Sequence, residues 1–205
     1  MKILYTTDQT YKHGGIEKVL SQKANYLADV ESDEVFILTY NQQGRKPVYK
    51  FSEKIKLIDL GVNYVEGTSY FHPKNLLKIS KHKKELRKAL QKIKPDVLIS
   101  CSFGPDFYLL PDIEKQIPKI KEFHSSRYFA DGNSASFRKK IQKKKTKETE
   151  KKYDALVVLN NDEKQFYNNK NINVIPNPAE ESDFKADLSS KRILAAGRIS
   201  PVKNF

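Results

Sequence analysis

Two glycines and a histidine stand where this sequence could bind a ligand. Gly14-Gly15 separates a predicted first strand from a predicted helix, so a ligand could approach the backbone and the free N–H groups at the helix start. That position suits a phosphate or a sugar hydroxyl, and the competing interpretation is a turn that needs positive φ. His124 closes a later predicted strand, where a neutral imidazole could donate a hydrogen bond to a sugar or phosphate oxygen. The alternative for His124 is a half-buried side chain with a backbone partner.

Arg198 and Lys203 could bind a second anionic group. Arg198 follows the last predicted strand, and together with Lys203 it would offer a bidentate fork and a point charge to a diphosphate. The sequence contains neither G-x-G-x-x-G nor G-x-x-x-x-G-K-[ST], so no dinucleotide fingerprint and no P-loop is predicted. The single cysteine, Cys101, permits no cysteine-rich zinc site, and we expect it to be a small core residue inside a strand.

Strands and helices alternate along the chain and would position these residues. Apolar residues recur at helical spacing between Ile16 and Leu27 and again between Leu76 and Ile93, after which Pro95 ends the helix. The predicted strands are Lys2–Thr7, Glu34–Tyr40, Ile55–Leu60, Asp96–Ser102, Lys119–His124, Ala155–Asn160, Asn173–Pro176 and Arg192–Gly197. Several are continuous apolar runs, as in strands buried on both faces. We therefore predict an α/β fold with a parallel sheet covered by helices on both faces.

In such a sheet, ligands bind in the crevice at the carboxyl ends of the strands. The predicted strand ends would bring together the residues that follow them and the start of the first helix. These residues are Asp8, Gly14, Gly15, Ser102 and His124.

The net charge of +13 over 205 residues is concentrated in two segments. Lys74–Lys94 holds nine Lys and Arg against one Glu, and Arg138–Lys152 holds nine against two. Either segment could meet an anionic partner, or both could be solvated helix faces. The second segment forms a predicted helix with little apolar surface, so we expect it to lie on the outside of the protein or on a partner.

The end of the chain suggests a second unit. Pro176-Asn177-Pro178 ends the first domain, residues 179–190 read as a polar linker, and residues 191–205 read as the start of a further domain. We expect the natural protein to continue. No apolar run is long enough to cross a membrane and no signal peptide is evident, so a cytoplasmic location is expected.

Five short motifs resemble family 4 glycosyltransferases, and they occur in the order found in that family. They are Gly14-Gly15-Ile16-Glu17, Glu122-Phe123-His124, Ala155–Asn160, Val174–Pro178, and Ile193–Ile199 with Lys203-Asn204-Phe205. The resemblance implies a GT-B fold, in which two Rossmann-like domains face each other across a cleft. This chain would be the acceptor-side N-terminal domain followed by the first strand of the donor-binding domain.

The resemblance implies an enzyme that transfers a sugar, as a hexosyltransferase does, from a nucleotide-sugar donor to a saccharide or lipid-linked acceptor. The transfer would retain anomeric configuration, use no metal or other cofactor, and serve bacterial surface-polysaccharide synthesis. His124 would be catalytic and lie near the reacting sugar. Gly14, Gly15 and Glu17 would contact substrate, and Arg198 and Lys203 would hold the diphosphate. The family's glutamate pair is absent, so this chain alone should be inactive.

The basic helix gains a possible role from the same resemblance, because many such enzymes use membrane-held acceptors. Its residues Arg138, Lys139, Lys140, Lys143 and Lys144 could face anionic lipid at the inner membrane face. The alternative from another class is an α/β module that binds nucleic acid or anionic membrane without catalysis. Aromatic residues are not interleaved with the lysines, so nucleic acid is not expected to be the partner. A sugar-nucleotide epimerase of the same architecture is a further alternative.

Overall fold

The computed structural model describes residues 1–65, 72–127 and 137–179, together with residues 183, 185, 187, 189 and 190. Its strands are β1 (Lys2–Thr7), β2 (Glu34–Thr39), β3 (Lys56–Asp59), β4 (Val97–Ser100), β5 (Lys119–Glu122), β6 (Ala155–Val158) and β7 (Ile172–Val174). Its α-helices are α1 (Gly15–Asp29), α2 (Pro73–Ile93), α3 (Pro105–Leu109) and α4 (Phe137–Glu150). Two short 3-10 helices cover Leu110–Asp112 and Asp162–Phe166. The predicted strand Arg192–Gly197 lies outside the described residues.

The seven strands form one parallel sheet in the order β3-β2-β1-β4-β5-β6-β7. Tyr5 on β1 is paired with Ile37 on β2 and with Ile99 on β4, so β1 lies between those two strands. From β1 the chain proceeds outward to β2 and β3, then crosses back to β4 on the other side. The strand order therefore reverses between β1 and β4, where open α/β sheets bind their ligands. This topology confirms the predicted parallel, Rossmann-like sheet.

Several strands end one or two residues before their predicted ends, and two of these differences bear on the site. β4 ends at Ser100 and β5 ends at Glu122, so Cys101 and His124 lie just beyond their strands, and the prediction of Cys101 inside a strand was wrong. Cys101 N still donates to Thr6 O at 3.0 Å, but the chain then turns into α3. Pro105 at the first position of α3 has a fixed φ that favours a helix start there. The turn brings the residues after β4 over the end of the sheet.

Helices cover the two faces of the sheet unequally. Crossovers between parallel strands are right-handed, so the direction of a crossover along the sheet decides which face its helix covers. The crossover β1-α1-β2 moves toward the β3 edge of the sheet, whereas β3-α2-β4 and β5-α4-β6 move toward the β7 edge. Thus α1 packs on one face, and α2 and α4 both lie on the other. The apolar contacts agree, because Leu20 of α1 packs in a cluster with Tyr5 while Leu86 of α2 packs in a cluster with Leu4.

Helix α4 is the most exposed of these helices, as predicted. Of its residues 140–150, only Thr146, Thr149 and Glu150 are buried, and Ile141 is 53% exposed. The Tyr108 hydroxyl bonds Thr146 Oγ1 at 3.0 Å and connects α4 to α3. No helix among the described residues is long and apolar enough to cross a bilayer.

Candidate functional site

A cleft of about 430 Å³ opens at the carboxyl ends of β1, β2 and β4. We call it the first cleft. Residues that directly follow these strands form its floor, and α1 and α2 contribute to its sides. It is lined by Asp8, Gln9, Ile16, Glu17, Tyr40, Asn41, Tyr64, Val65, Asn75, Ser102, Phe103, Gly104 and Pro105. Most of the lining side chains are neutral and polar or aromatic, a set that suits a ligand with hydroxyl groups.

The back wall of the first cleft is a buried hydrogen-bond network around Asp106, which is 1% exposed. Its carboxylate accepts hydrogen bonds from Thr6 Oγ1 at 2.9 Å, Tyr40 Oη at 3.2 Å and Ser102 Oγ at 3.3 Å. The Tyr40 hydroxyl also lies 3.1 Å from Ser102 Oγ. Gly104 packs so closely against the Tyr40 hydroxyl that a Cβ would overlap it. A network with this many mutual bonds holds the wall in one arrangement.

Asp8 and Glu17 give the first cleft its negative charge. Burial, followed by the nearby Asp106 carboxylate, raises the pKa of Asp8 to about 6. The Glu17 side chain is buried and accepts a hydrogen bond from the Gln9 amide. No Lys, Arg or His is among the described residues that line this cleft.

Tyr64 and His82 support the side of the first cleft away from α1. His82 on α2 is fully buried, its Nδ1 lies 3.1 Å from the Tyr64 hydroxyl, and its ring packs 4.8 Å from that of Tyr40. Burial lowers the pKa of His82 to about 4, so the imidazole is neutral at physiological pH. These three aromatic rings fix the position of one cleft wall.

A second cleft, of about 280 Å³, lies beside the start of α1. It is lined by Gly15, Lys18, Val19, Gln22, His124, Asn177 and Pro178. Gly14 caps α1 without a side-chain hydrogen bond and has φ of −132°, and only Gly44 and Gly61 among the described glycines have positive φ. The interpretation that the glycine pair serves a positive-φ turn is therefore wrong. The helix start, with Lys18 one turn later, is a favourable place for an anion.

His124 stands between the second cleft and a buried carboxylate. Its side chain is 6% exposed, and its Nε2 lies 3.3 Å from Glu122 Oε2. The other carboxylate oxygen of Glu122 forms an ion pair with Lys23 of α1. Burial opposes the charge on Glu122, but His124 and Lys23 lower the pKa of that carboxyl to about 2. Glu122 therefore stays ionised in the interior.

A family model shows where this chain belongs. The model of Glycosyltransferase Family 4 matches residues 13–182. This range includes His124 and helix α1, which contributes to both clefts.

The chain belongs to Glycosyltransferase Family 4.

Solved structures of other glycosyltransferases share its fold. Sucrose-phosphate synthase from Thermosynechococcus elongatus aligns with a TM-score of 0.61 at 14% identity, over 85% of this chain and 47% of that one. The lipopolysaccharide outer core galactosyltransferase WaaB aligns with a TM-score of 0.60 at 17% identity, over 89% and 47%. WaaG, a glycosyltransferase involved in lipopolysaccharide biosynthesis, aligns with a TM-score of 0.54 at 12% identity, over 85% of this chain and 44% of that one. No curated protein sequence matches the chain.

These alignments confirm the predicted Rossmann-like half of a GT-B fold in this family 4 member. The chain spans about half the length of each of these structures. They share too little sequence with it to transfer the role of any residue.

The site residues predicted for this family 4 chain divide between the two clefts. Gly15 and His124 line the second cleft, whereas Glu17 lines the first, together with Asp8 and Ser102. The single crevice expected from the strand ends is thus two adjacent clefts. Gly14 lines neither one and caps α1 between them.

The remaining predicted residues lie outside the clefts or outside the described residues. Arg198 and Lys203 are not among the described residues, and neither are the side chains of Arg138 and Lys139. Lys140, Lys143 and Lys144 are exposed on α4. Their predicted roles stay predictions.

Sequence reasoning missed most of the first cleft. Tyr40, Asn41 and Phe103 also follow strands, so the rule that ligands bind at strand ends could have found them. Tyr64 and Asn75 come from the loop after β3 and from α2, and no local pattern marks them.

Proposed function

We propose that this chain is the acceptor-side domain of a retaining glycosyltransferase that uses a nucleotide-sugar donor. Family membership over residues 13–182 supports the reaction class, and a span of about half the related structures leaves room for a donor-binding domain. Residues 1–178 would form the acceptor-side domain, 179–190 the linker and 191–205 the start of the donor domain. The chain alone would be inactive, and the whole enzyme would serve bacterial surface-polysaccharide synthesis at the cytoplasmic membrane face.

The first cleft is the proposed acceptor site. Asp8 and Asn41 offer acceptors and donors for sugar hydroxyls, and Phe103, which is 53% exposed, offers an apolar face to a sugar ring. Two carboxylates without a lining cation would repel an anionic sugar, so the acceptor end would be an uncharged saccharide. Such an end could belong to a free or a lipid-linked glycan.

The second cleft is the proposed entry for the donor phosphates. Gly15, the first residue of α1, lines this cleft, a helix start favours anions, and Lys18 adds a positive charge. Arg198 and Lys203 would complete the clamp and stabilise the charge on the departing nucleoside diphosphate. His124, at the wall of the cleft, would donate a hydrogen bond to the transferred sugar. On this account the transfer itself needs no metal.

The observation that carries this proposal is the family match, and a transfer assay tests it. The complete polypeptide encoded by the gene should release nucleoside diphosphate from a nucleotide sugar only when a neutral saccharide acceptor is present. His124→Ala should lower kcat about 100-fold, the size of effect seen for a lost transition-state donor. His13→Ala, a change at an exposed histidine, is the matched control and should leave kcat unchanged. Equal activity of both variants would refute the role of His124.

A second proposed property is binding to anionic membrane through the face that carries α2 and α4. Both strongly basic helices lie on that face, and Leu77 at the start of α2 is 84% exposed. The exposed Lys and Arg residues in the described parts of these two helices are Lys74, Lys81, Lys83, Lys84, Arg87, Lys88, Lys92, Lys140, Lys143, Lys144, Lys145 and Lys147. Each cation near an anionic surface contributes about 1 kcal/mol, so several acting together would hold the protein there at low salt.

Vesicle flotation tests this property directly. The protein should float with phosphatidylglycerol vesicles and not with neutral phosphatidylcholine vesicles, and salt should release it. Lys143→Glu/Lys144→Glu should weaken flotation, whereas Lys18→Glu, a charge change on the opposite face, should not. Tighter binding to duplex DNA than to the anionic vesicles would favour the nucleic-acid alternative instead.

A further inference from the structure

Two loops beside the first cleft carry positive charge without any acidic residue at their tips. They follow β1 and β2, and their tips span residues 9–14 and 41–50. Outside the two basic segments, the chain as a whole holds slightly more acidic than basic residues, so loop tips with cations alone stand out. These loops are therefore a candidate site for an anion. The exposed Lys and Arg residues at the two tips are Lys12, Arg45, Lys46 and Lys50.

Hydrogen bonds join the two loops and attach them to the first cleft. The buried side chain of Gln42 accepts from Thr10 N at 3.0 Å and donates to Arg45 O at 2.7 Å. On the cleft side, Gln9 is a lining residue, and its amide oxygen accepts from Lys12 N at 2.8 Å. The backbone at Lys12 and at Arg45 is thus held in place relative to the cleft, as a binding site requires.

The ring of Tyr11 brings cations of both loops together. The Arg45 guanidinium carbon lies 4.7 Å from the centre of this ring, and Lys12 Nζ lies 5.7 Å from it. Cation–π contacts at these distances position a guanidinium while its N–H donors can still bind an anion. Lys46 follows Arg45 in the same exposed turn. We call Tyr11, Lys12, Arg45 and Lys46 the cationic rim.

The cationic rim and the first cleft have opposite charge. Burial raises the pKa of Asp8 in the cleft, and the charge of Lys12 opposes this rise, so Lys12 lies within electrostatic range of the cleft. Asp8 and Glu17 would repel an anionic sugar inside the cleft, whereas the rim would attract an anion just outside it. This pattern suits a ligand that has a neutral sugar and a separate anionic group. A planar Arg fork beside Lys charges is the donor set that matches phosphate.

We propose that the cationic rim binds a phosphate group of the acceptor whose sugar occupies the first cleft. This inference rests on the proposed acceptor role of that cleft, and it narrows the acceptor to a saccharide that carries phosphate. Arg45 would bind two phosphate oxygens, and Lys12 and Lys46 would add charge. The phosphate could belong to a free sugar phosphate or to the diphosphate of a lipid-linked saccharide, because both present the same oxygens.

NMR titration of the 205-residue chain tests the proposal with galactose, glucose and mannose, each paired with its 1-phosphate. The 1-phosphate should bind about 10-fold more tightly than the neutral hexose at low salt, and it should also shift the amide signals of Tyr11, Lys12 and Arg45. Added salt should reduce this gain. Arg45→Gln should remove most of it. Arg87→Gln, at an exposed arginine of α2, is the matched control and should keep it.

Equal affinity for the neutral hexoses and their 1-phosphates would overturn the proposal. The proposed function would survive that result if neutral hexoses still shifted the signals around Asp8, and both would fail if these shifts were absent as well. Phosphate-dependent shifts confined to Gly15 and Lys18 would place the anion in the second cleft, and equal losses in Arg45→Gln and Arg87→Gln would indicate nonspecific attraction. Either of these results would also overturn the proposal.

A hexose joined to farnesyl diphosphate distinguishes the two sources of phosphate. Tighter binding of this compound than of the hexose 1-phosphate, with the same loss in Arg45→Gln, would indicate a lipid-linked acceptor. Binding no tighter than that of the 1-phosphate would indicate a free sugar phosphate. In both cases the dependence on Arg45 supports the cationic rim, and binding that is independent of Arg45 would contradict it.

Discussion

We predict that the ionised side chain of Asp8, which lines the first cleft, lowers the free energy of unfolding at neutral pH. Its backbone carbonyl accepts hydrogen bonds from Tyr40 N at 3.3 Å and Asn41 N at 2.7 Å, and these bonds survive a change of side chain. The carboxyl group is different, because burial and the Asp106 charge raise its pKa from 3.8 to about 6. Asp8→Asn removes the charge and keeps the shape, so it isolates the cost of ionisation.

The size of that cost follows from the pKa shift. A carboxyl whose folded-state pKa is raised stabilises the fold only below its unfolded value, and this stability is lost as the pH rises through the folded value. The window here is from about pH 3.8 to about pH 6. A shift of this size corresponds to about 3 kcal/mol, and the partial exposure of Asp8 reduces our expectation to about 2 kcal/mol.

Urea unfolding at several pH values measures the effect. At pH 8, Asp8→Asn should be more stable than the native protein by about 2 kcal/mol, and the gain should shrink steadily as the pH falls toward 4. Glu53→Gln, at an exposed carboxyl, is the control and should show no such gain. A gain that is equal at pH 8 and pH 4, or none at pH 8, would refute the reasoning. Weaker acceptor binding by Asp8→Asn would show why the charge is kept.

Three further predictions concern the walls of the site. Burial lowers the pKa of His82 from 6.5 to about 4, so the unfolded chain binds a proton at this residue more readily than the folded protein does. The free energy of unfolding should therefore fall as the pH drops from 6.5 toward 4, and His82→Gln should remove about 3 kcal/mol of this loss in urea titrations. Glu150→Leu removes the ion pair between Glu150 and the buried Arg127 and should lower the free energy of unfolding by about 3–5 kcal/mol; adding Arg127→Met to Glu150→Leu should restore most of it, and a small cost for the single variant contradicts this. In Gly104→Ala the new Cβ would overlap the Tyr40 hydroxyl, so thermal unfolding should show a loss of stability of about 1–3 kcal/mol. In the control Gly15→Ala the new Cβ meets no atom within 4 Å, so no loss of stability is expected.

The sheet could be predicted from the sequence because its strands carry their own signal. Near-continuous apolar runs such as Val97–Ser100 and Ala155–Val158 are typical of strands covered on both faces, and Pro95 follows closely on the end of α2. Strand ends were harder, since the apolar run continues past β4 to Cys101 although the chain has already begun to turn toward Pro105. Hydrophobicity alone does not show where pairing stops.

The site was only partly predictable, because burial of charge depends on distant residues. Lys121 reads as one more surface lysine of a basic protein, yet it is fully buried and donates to the Ser100 and Ser102 carbonyls at 3.2 and 2.8 Å. Three aromatic rings surround it, from Phe103, Phe107 and Phe123. These contacts arise from the pairing of β4 with β5, which no local pattern in the sequence specifies.

The most direct test of the account is to map saccharide binding by NMR on the amide signals of this chain. Neutral saccharides should shift the signals of Asp8, Asn41 and Phe103 around the first cleft, and the matching uronic acids should shift them much less. Asp8→Asn should reduce this difference between neutral and acidic sugars. If no saccharide of a broad panel shifts these signals, or if the shifts lie only on the face of α2 and α4, then the first cleft is not an acceptor site and the proposed function is wrong.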